Sequence, residues 1–256
     1  MPAELHRDVG RAGSFGSVAE QYDRFRNAYP PALIDDLLTA SPARALDVGC
    51  GTGKVAAALA AHGVRVLGVE RDHRMAAVAR GHDLDVEVAD FETWDDAGRT
   101  FDLLTCGDAW HWIDPERGAA KAAAVLAPGA TIARFWTELV LGEPLVAAFE
   151  PVYRRHAPEV APVWRAGSGV PRFHATRPDA VAASAAFSAP TLRTYAWERT
   201  YAADEWVGLV ATISDHLRLG ATRLPVLLDA LHDAIRAVGG TVAAQHETYA
   251  MLSRRV

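Results

Sequence analysis

Nine residues constrain this chain more than any other stretch: Leu46-Asp47-Val48-Gly49-Cys50-Gly51-Thr52-Gly53-Lys54 sets three glycines between an apolar run and a helical pattern. Ala45, Leu46 and Val48 supply the run, and Val55, Leu59 and Ala60 continue at helical spacing. The order predicts a strand, a tight turn and a helix N-terminus. Glycine lacks a Cβ, so the turn can take positive φ and admit a ligand close to the backbone. The first free N–H groups of the helix favour a negative ligand group. A dinucleotide fingerprint requires its third glycine where Lys54 stands. A Walker loop requires glycine in place of Val48 and a hydroxyl residue in place of Val55. Neither phosphate reading survives, and glycine-rich turns also occur in proteins with no ligand.

The flanking segments extend the pattern. Upstream, Val18, Tyr22 and Phe25 share a helical face, and Pro30-Pro31 opens a second helix in which Leu33 and Leu37 pair one turn apart. Downstream, the run Val64 to Val69 ends at Glu70, and Arg71 through Arg80 reads as a helix. A carboxylate at the end of the second strand, about 20 residues after a glycine turn, can accept both hydroxyls of a ribose. A third strand, Leu84 to Ala89, leads to Asp90-Phe91, and a fourth, Phe101 to Cys106, runs into Gly107-Asp108-Ala109-Trp110-His111-Trp112. Ligands of open α/β sheets bind beyond the carboxyl ends of the strands, so chemistry is expected after this fourth strand. Asp114 and Pro115 start the next helix, and Ala127-Pro128-Gly129 stops it.

Composition removes other classes. A chain of 256 residues, 50% hydrophobic and 23% charged, suffices for one sizeable domain. A net charge of −6 carries no global basic footprint, so neither nucleic acid nor an anionic membrane is expected as a partner. Cys50 and Cys106 are too few for a disulfide framework or a four-cysteine zinc site. Residues 1–13 are polar, with no apolar signal core, and no run approaches the roughly 18 apolar residues that would span a bilayer. A cytoplasmic setting is the expectation.

The glycine stretch resembles motif I of the class I S-adenosylmethionine-dependent methyltransferases. Ala109-Trp110-His111-Trp112 and Val125-Leu126-Ala127-Pro128-Gly129-Ala130 are similar to segments of their type 11, or trans-aconitate methyltransferase-like, group. Ala130 stands where that pattern has glycine, which touches the turn more than the chemistry. The resemblance covers residues 14 to about 136 and fades beyond. It implies an α/β fold: a Rossmann-like seven-stranded methyltransferase sheet flanked by helices, its last strand antiparallel, with a helical cap insertion. The implied single domain divides into N-terminal helices at 1–40, a cofactor-binding core at 41–137, a cap at 138–190 and C-terminal strands and helices at 191–256.

The same resemblance implies S-adenosylmethionine as cofactor and S-adenosylhomocysteine as product. It places Tyr22 and Arg26 near the methionine end and Asp47, Gly49, Cys50, Gly51 and Gly53 in the loop. Glu70, Arg71 and Met75 fall at the ribose and adenine, Asp90 and Phe91 at the adenine edge and face, and Cys106 and Trp110 after the fourth strand. His111 is the candidate general base or substrate-orienting group, with His246 a second candidate for the same pocket. No metal is expected, since neither His-Glu-x-x-His nor clustered carboxylates are present, and no Gly-x-Ser-x-Gly elbow supports an acyl nucleophile. The Asn-Pro-Pro-aromatic motif of enzymes that methylate amide or base nitrogens is absent after the fourth strand, which argues for another acceptor.

In the C-terminal half, Leu145, Phe149 and Val152 form a helical stripe, and proline and glycine then recur as expected of a cap over the site. Arg154, Arg155, Arg165, Arg172 and Arg177 face only Glu159 in that segment, which suits either a solvated surface or a carboxylate-bearing substrate. Arg193, Tyr195, Trp197, Arg199 and Tyr201 alternate onto one strand face, and Val242 to Arg254 can pair with them across a helix from Leu224 to Val238. The expected reaction is methyl transfer to an oxygen of a small, possibly anionic, carboxylate or hydroxyl compound. A cofactor-binding protein without transfer, or a carrier-bound or macromolecular acceptor, are the alternatives.

Overall fold

The run before the glycines forms β1 (Arg44–Val48), with its last four residues buried. In the computed structural model, which describes residues 5–160, 165–166 and 179–256, β1 lies inside one mixed sheet. Its parallel neighbours are β2 (Arg65–Glu70) and β4 (Phe101–Gly107); β3 (Asp85–Val88) lies outside β2, and β5 (Leu126–Leu141) outside β4. A two-residue strand, β6 (Arg165–Ala166), pairs with the end of β5. Beyond β5 come β8 (Thr241–Arg254) and β7 (Thr191–Ala202), giving the order β3-β2-β1-β4-β5-β8-β7. Among the described strands only β8 runs against the others, pairing antiparallel with both β5 and β7. This is the Rossmann-like methyltransferase sheet, with the antiparallel strand where it was expected.

Helices cover both faces because strand residues alternate between two apolar sets. On one side, Ala45, Leu103, Ala133, Phe135 and Ala250 pack with Leu33, Ile34 and Leu37 of α3 (Pro31–Leu38) and Val55 and Leu59 of α4 (Lys54–Ala60). On the other, Leu46, Val48, Leu104, Cys106 and Ile132 pack with Ala119, Ala122 and Val125 of α6 (Pro115–Val125). Further helices include α5 (His73–Gly81), which follows β2, and α8 (Ala180–Ala183), whose Val181 joins the second set. The N-terminal segment contributes a 3₁₀ turn at Leu5–Arg7, α1 (Val9–Ala12) and α2 (Ala19–Phe25). The first two were not anticipated in a polar stretch.

The sheet departs from the expected division at its long end. The core was expected to stop at residue 137, but β5 continues to Leu141 because Thr137 through Leu141 pair with β8 as far as Ala244. The apolar stripe then becomes α7 (Glu143–His156), which buries Phe149 and Tyr153 against Trp206 and Leu209 of α9 (Ala203–Val210) and Leu227 and Leu231 of α11 (Gly220–Ala237). A short α10 (Ser214–Leu217) joins those two. Arg154 and Arg155 point to solvent, Arg154 toward Glu150, and Glu159 is paired by Arg223. Arg172 and Arg177 lie outside the described residues, and Arg165 is described by its backbone alone.

One ion pair crosses the second apolar set. Arg134 on β5 is 2% exposed, and its Nη2 donates to Asp179 Oδ2 at 2.8 Å, while Asp179 also caps α8 through the Val181 N–H. Removing the carboxylate leaves a buried guanidinium uncompensated. Asp179→Ala is therefore expected to cost about 3 kcal/mol, read as a lowered urea midpoint at unchanged m-value; a loss below about 1 kcal/mol contradicts it.

Candidate functional site

At the mouth of β1 the chain has to turn sharply into α4, and Gly49, Gly51 and Gly53 take φ of 62°, 57° and 88°. A Cβ on Gly49 would lie 2.7 Å from the Ala109 Cβ, so only glycine lets the loop after β4 approach this closely. The turn is tied to β2 by the Gly49 and Cys50 N–H groups, both donating to the Val69 carbonyl. Glu70 completes the junction: Gly51 N–H donates to Oε2 and Asp72 N–H to Oε1, each at 2.9 Å. Burial raises the Glu70 carboxyl above the usual carboxylate range, and these backbone N–H groups oppose the rise. Each oxygen keeps a lone pair for a further donor.

Two cavities meet over this turn. The larger, about 290 Å³, is walled by Glu70, Arg71, Met75, Asp90 and Phe91 from the sheet side. Its cover comes from His6, Val9, Ala12 and Phe15 of the N-terminal segment and from Trp112 and Ile113 after β4. Arg74 holds that segment down, donating from Nη2 to the Gly13 carbonyl at 3.0 Å, and Arg11 pairs with Asp215 at 2.8 Å. The smaller, about 210 Å³, is lined by Arg26, Asn27 and Tyr29, by Asp47, Cys50 and Lys54, and by Thr137, Leu139, Leu209, Ile213 and His246. Tyr22, Gly49, Gly51, Gly107 and Asp108 line both.

Asp108 stands at that junction with φ of 51°, a left-handed conformation uncommon outside glycine but tolerated by aspartate. Tyr29 Oη donates to Oδ2 at 2.8 Å, and Thr137 N–H donates to Oδ1 at 3.1 Å. Burial raises its carboxyl above the usual range, opposed by those donors and by Arg26. Sequence reasoning passed over Asp108, although its place directly after β4 was the available signal. It also missed the N-terminal cover, whose short turns leave no periodic trace.

The expected site residues separate into groups. Tyr22, Gly49, Gly51, Glu70, Arg71, Met75, Asp90 and Phe91 line the larger cavity, with Arg71 Nε 3.3 Å from Asp90 Oδ1 on its rim. Arg26, Asp47 and Cys50 line the smaller one. Arg26 is anchored there by Nε and Nη2 on the Thr212 hydroxyl and carbonyl. Gly53 lines neither; it makes the turn, and a Cβ on it would lie 2.3 Å from Leu84 Cδ1. Cys106 and Trp110 are corrected to core residues: strand alternation turns Cys106 into the second apolar set, and Trp110 packs beside Phe91 beneath the Arg134 guanidinium. His111 likewise lines neither cavity. Its Nδ1 accepts from Trp136 Nε1 at 3.2 Å, which engages the lone pair that a base would use. His246, the weaker expectation, does line the smaller cavity.

Comparison with known proteins bears on the fold and the family. The family model described as a methyltransferase domain matches residues 45–129, from β1 to the turn into β5. Residues 45–129 form a methyltransferase domain. An uncharacterised methyltransferase of Mycobacterium tuberculosis is 38% identical over 126 residues, 48% of this chain and 51% of that one. A ubiquinone biosynthesis O-methyltransferase of Coxiella burnetii is 32% identical over 144 residues, 50% of this chain and 62% of that one. The chain thus spans about half to under two thirds of the length of these relatives. A candidate type II methyltransferase of Anaeromyxobacter dehalogenans has a similar fold, with a TM-score of 0.63 at 23% identity, covering 90% of this chain and 98% of that one. Among the described residues no group of three or more His, Cys, Asp or Glu could hold a metal, and no helix is long and apolar enough to cross a membrane.

Asp47 gives the methyltransferase domain a pH signature. It is 1% exposed; Oδ1 accepts from the Thr105 hydroxyl at 2.8 Å, and Oδ2 has no close partner among the described residues. Burial pushes its carboxyl up to about 7, against the Thr105 hydroxyl and the more distant Ala56 N–H. Between the unfolded value of 3.8 and about 7, the folded chain keeps a proton that the unfolded chain has released. Stability from this group therefore falls as pH rises through that window, by up to about 4 kcal/mol at roughly 1.36 kcal/mol per unit. Asp47→Asn retains the acceptor for Thr105 and cannot ionise. Urea unfolding from pH 4 to 8 should show the variant gaining on the parent as pH rises; parallel profiles contradict this.

Proposed function

We propose that the chain is an S-adenosylmethionine-dependent methyltransferase that transfers the methyl group to an oxygen of a small molecule. The observation that carries the reading is Glu70. Its two carboxylate oxygens are fixed by the Gly51 and Asp72 N–H groups at the wall of the larger cavity, and their remaining lone pairs suit vicinal ribose hydroxyls. The cavity fits the rest of the cofactor. Phe91 offers an aromatic face beside the Asp90 carboxylate, and Gly51 leaves room under Met75, where a Cβ would stand 3.4 Å from Cε. Tyr22 and Arg26 stand toward the smaller cavity, where a guanidinium suits the amino-acid carboxylate.

Bound there, S-adenosylmethionine supplies a methyl group on a positively charged sulfur. The residues of this chain then have three tasks: to hold two molecules in line, to exclude water and to accept a proton where the acceptor is a hydroxyl. The smaller cavity is the acceptor site, since it meets the larger one at Tyr22 and Asp108. Asp108 is the proton acceptor, because its buried carboxylate stands at the junction with a raised proton affinity. A carboxylate acceptor, already an anion, needs no such base. The similarity to an O-methyltransferase supports oxygen as the acceptor atom.

Calorimetry with S-adenosylhomocysteine tests the cofactor assignment. The parent protein should bind, and Glu70→Ala should weaken binding by about 1.5–3 kcal/mol through lost charge-assisted hydrogen bonds. No binding by the parent overturns the function, and equal affinity in the variant overturns the role of Glu70. For a hydroxyl acceptor found by methyl-transfer assay, Asp108→Asn should lower kcat by about 10²–10⁴-fold while S-adenosylhomocysteine affinity stays within a few-fold.

A further inference from the structure

The floor of the smaller cavity holds a hydrogen-bond chain that assigns the proton on His246. Arg199 Nη1 donates to Asn27 Oδ1 at 2.7 Å, and a guanidinium can only donate, so the Asn27 amide has one orientation. Its Nδ2 then donates to Tyr201 Oη at 2.6 Å. Having accepted that bond, Tyr201 Oη turns its own proton to His246 Nε2 at 2.9 Å. Nε2 is thus an acceptor, and the neutral ring carries its proton on Nδ1. The ring is clamped flat against Trp197, with centroids 3.9 Å apart and planes at 8°. No bond from Nδ1 to another described residue competes with a cavity ligand, and the ring lines the cavity. Burial, then Arg199, lowers the imidazole to about 4, so the ring stays neutral at ordinary pH.

We infer that His246 presents a single Nδ1–H donor to the acceptor and so selects an oxygen compound, a phenol, alcohol or carboxylate, over an amine. The inference rests on the methyl-transfer reading and deepens it by assigning the residue that selects oxygen in the acceptor. An oxygen acceptor has a lone pair to spare beside the one that attacks the methyl group. An amine has one lone pair, and a donor that occupies it blocks the attack; an ammonium has none. His246 is in this account a positioning residue, and Asp108 the group that takes the proton.

Nitrogen-15 NMR of histidine-labelled protein reads the tautomer directly, with or without cofactor. The expected signature for His246 is a protonated Nδ1 and an unprotonated Nε2, with Tyr201→Phe relaxing the preference. A protonated Nε2 in the parent protein overturns the inference. With S-adenosylhomocysteine bound, phenol should move the Nδ1 resonance and benzylamine should not. His246→Leu should weaken phenol binding about tenfold, the loss of one hydrogen bond, whereas His246→Asn, whose amide N–H falls near the same place, should stay within a few-fold. No response to phenol, or an equal response to benzylamine, also overturns it. Failure of S-adenosylhomocysteine to bind would instead strike at the methyltransferase reading and leave the tautomer result standing on its own.

Discussion

A buried carboxylate joins the two halves of the cofactor side. Glu70 is 8% exposed, a position that costs a carboxylate much of its hydration. The N–H groups of Gly51 and Asp72 replace part of that water, and in doing so they fix the turn after β1 relative to the turn after β2. Only a loop rich in positive φ can bring a backbone N–H to that point, which is why the spacing of glycines 49, 51 and 53 and the acid at 70 are one constraint. The other walls follow from the same junction. Asp72 caps α5 through the Arg74 N–H, and Arg74 in turn holds the N-terminal cover at Gly13.

That dependence explains what could be read from residues alone. The glycine loop, Glu70, Asp90 and Phe91 are local features, each at the end of a strand whose apolar pattern is clear, and the structure brings them to one cavity. The antiparallel last strand was implied by the methyltransferase resemblance and by no local pattern, and β8 takes that place. Cys106 and Trp110 misled because proximity to a strand end does not fix which face a side chain takes. The pleat sends Cys106 inward, while Gly107 and Asp108 reach the ligand side. His111 misled by its neighbours, since the Trp136 indole that engages it lies 25 residues on in sequence.

The acceptor side was hardly legible, and its construction shows why. Its floor is set by register: Leu139 stands opposite His246, and His246 opposite Trp197, across three strands far apart in sequence. A slip of one residue would turn His246 to the other face. The periodic pattern of β7 announced Trp197, Arg199 and Tyr201 on one face, yet nothing local announces that Asn27, two residues past the end of α2, bonds to two of the side chains on that face.

The two cavities therefore have different origins in the chain. The larger one is built by turns that follow parallel strands, within the segment that matches the methyltransferase domain, apart from its N-terminal cover. Most of the side chains that distinguish the smaller one lie outside residues 45–129: Arg26, Asn27 and Tyr29 precede it, and Thr137, Leu139, Leu209, Ile213 and His246 follow. Substitutions at Thr137, Leu139, Leu209, Ile213 and His246 can change the acceptor without disturbing the Glu70 junction, because the Glu70 oxygens are held by the Gly51 and Asp72 N–H groups. Asp108 is the exception. Held by Tyr29 from before the domain and by the Thr137 N–H from after it, it is the point where the shape of one cavity is transmitted to the other.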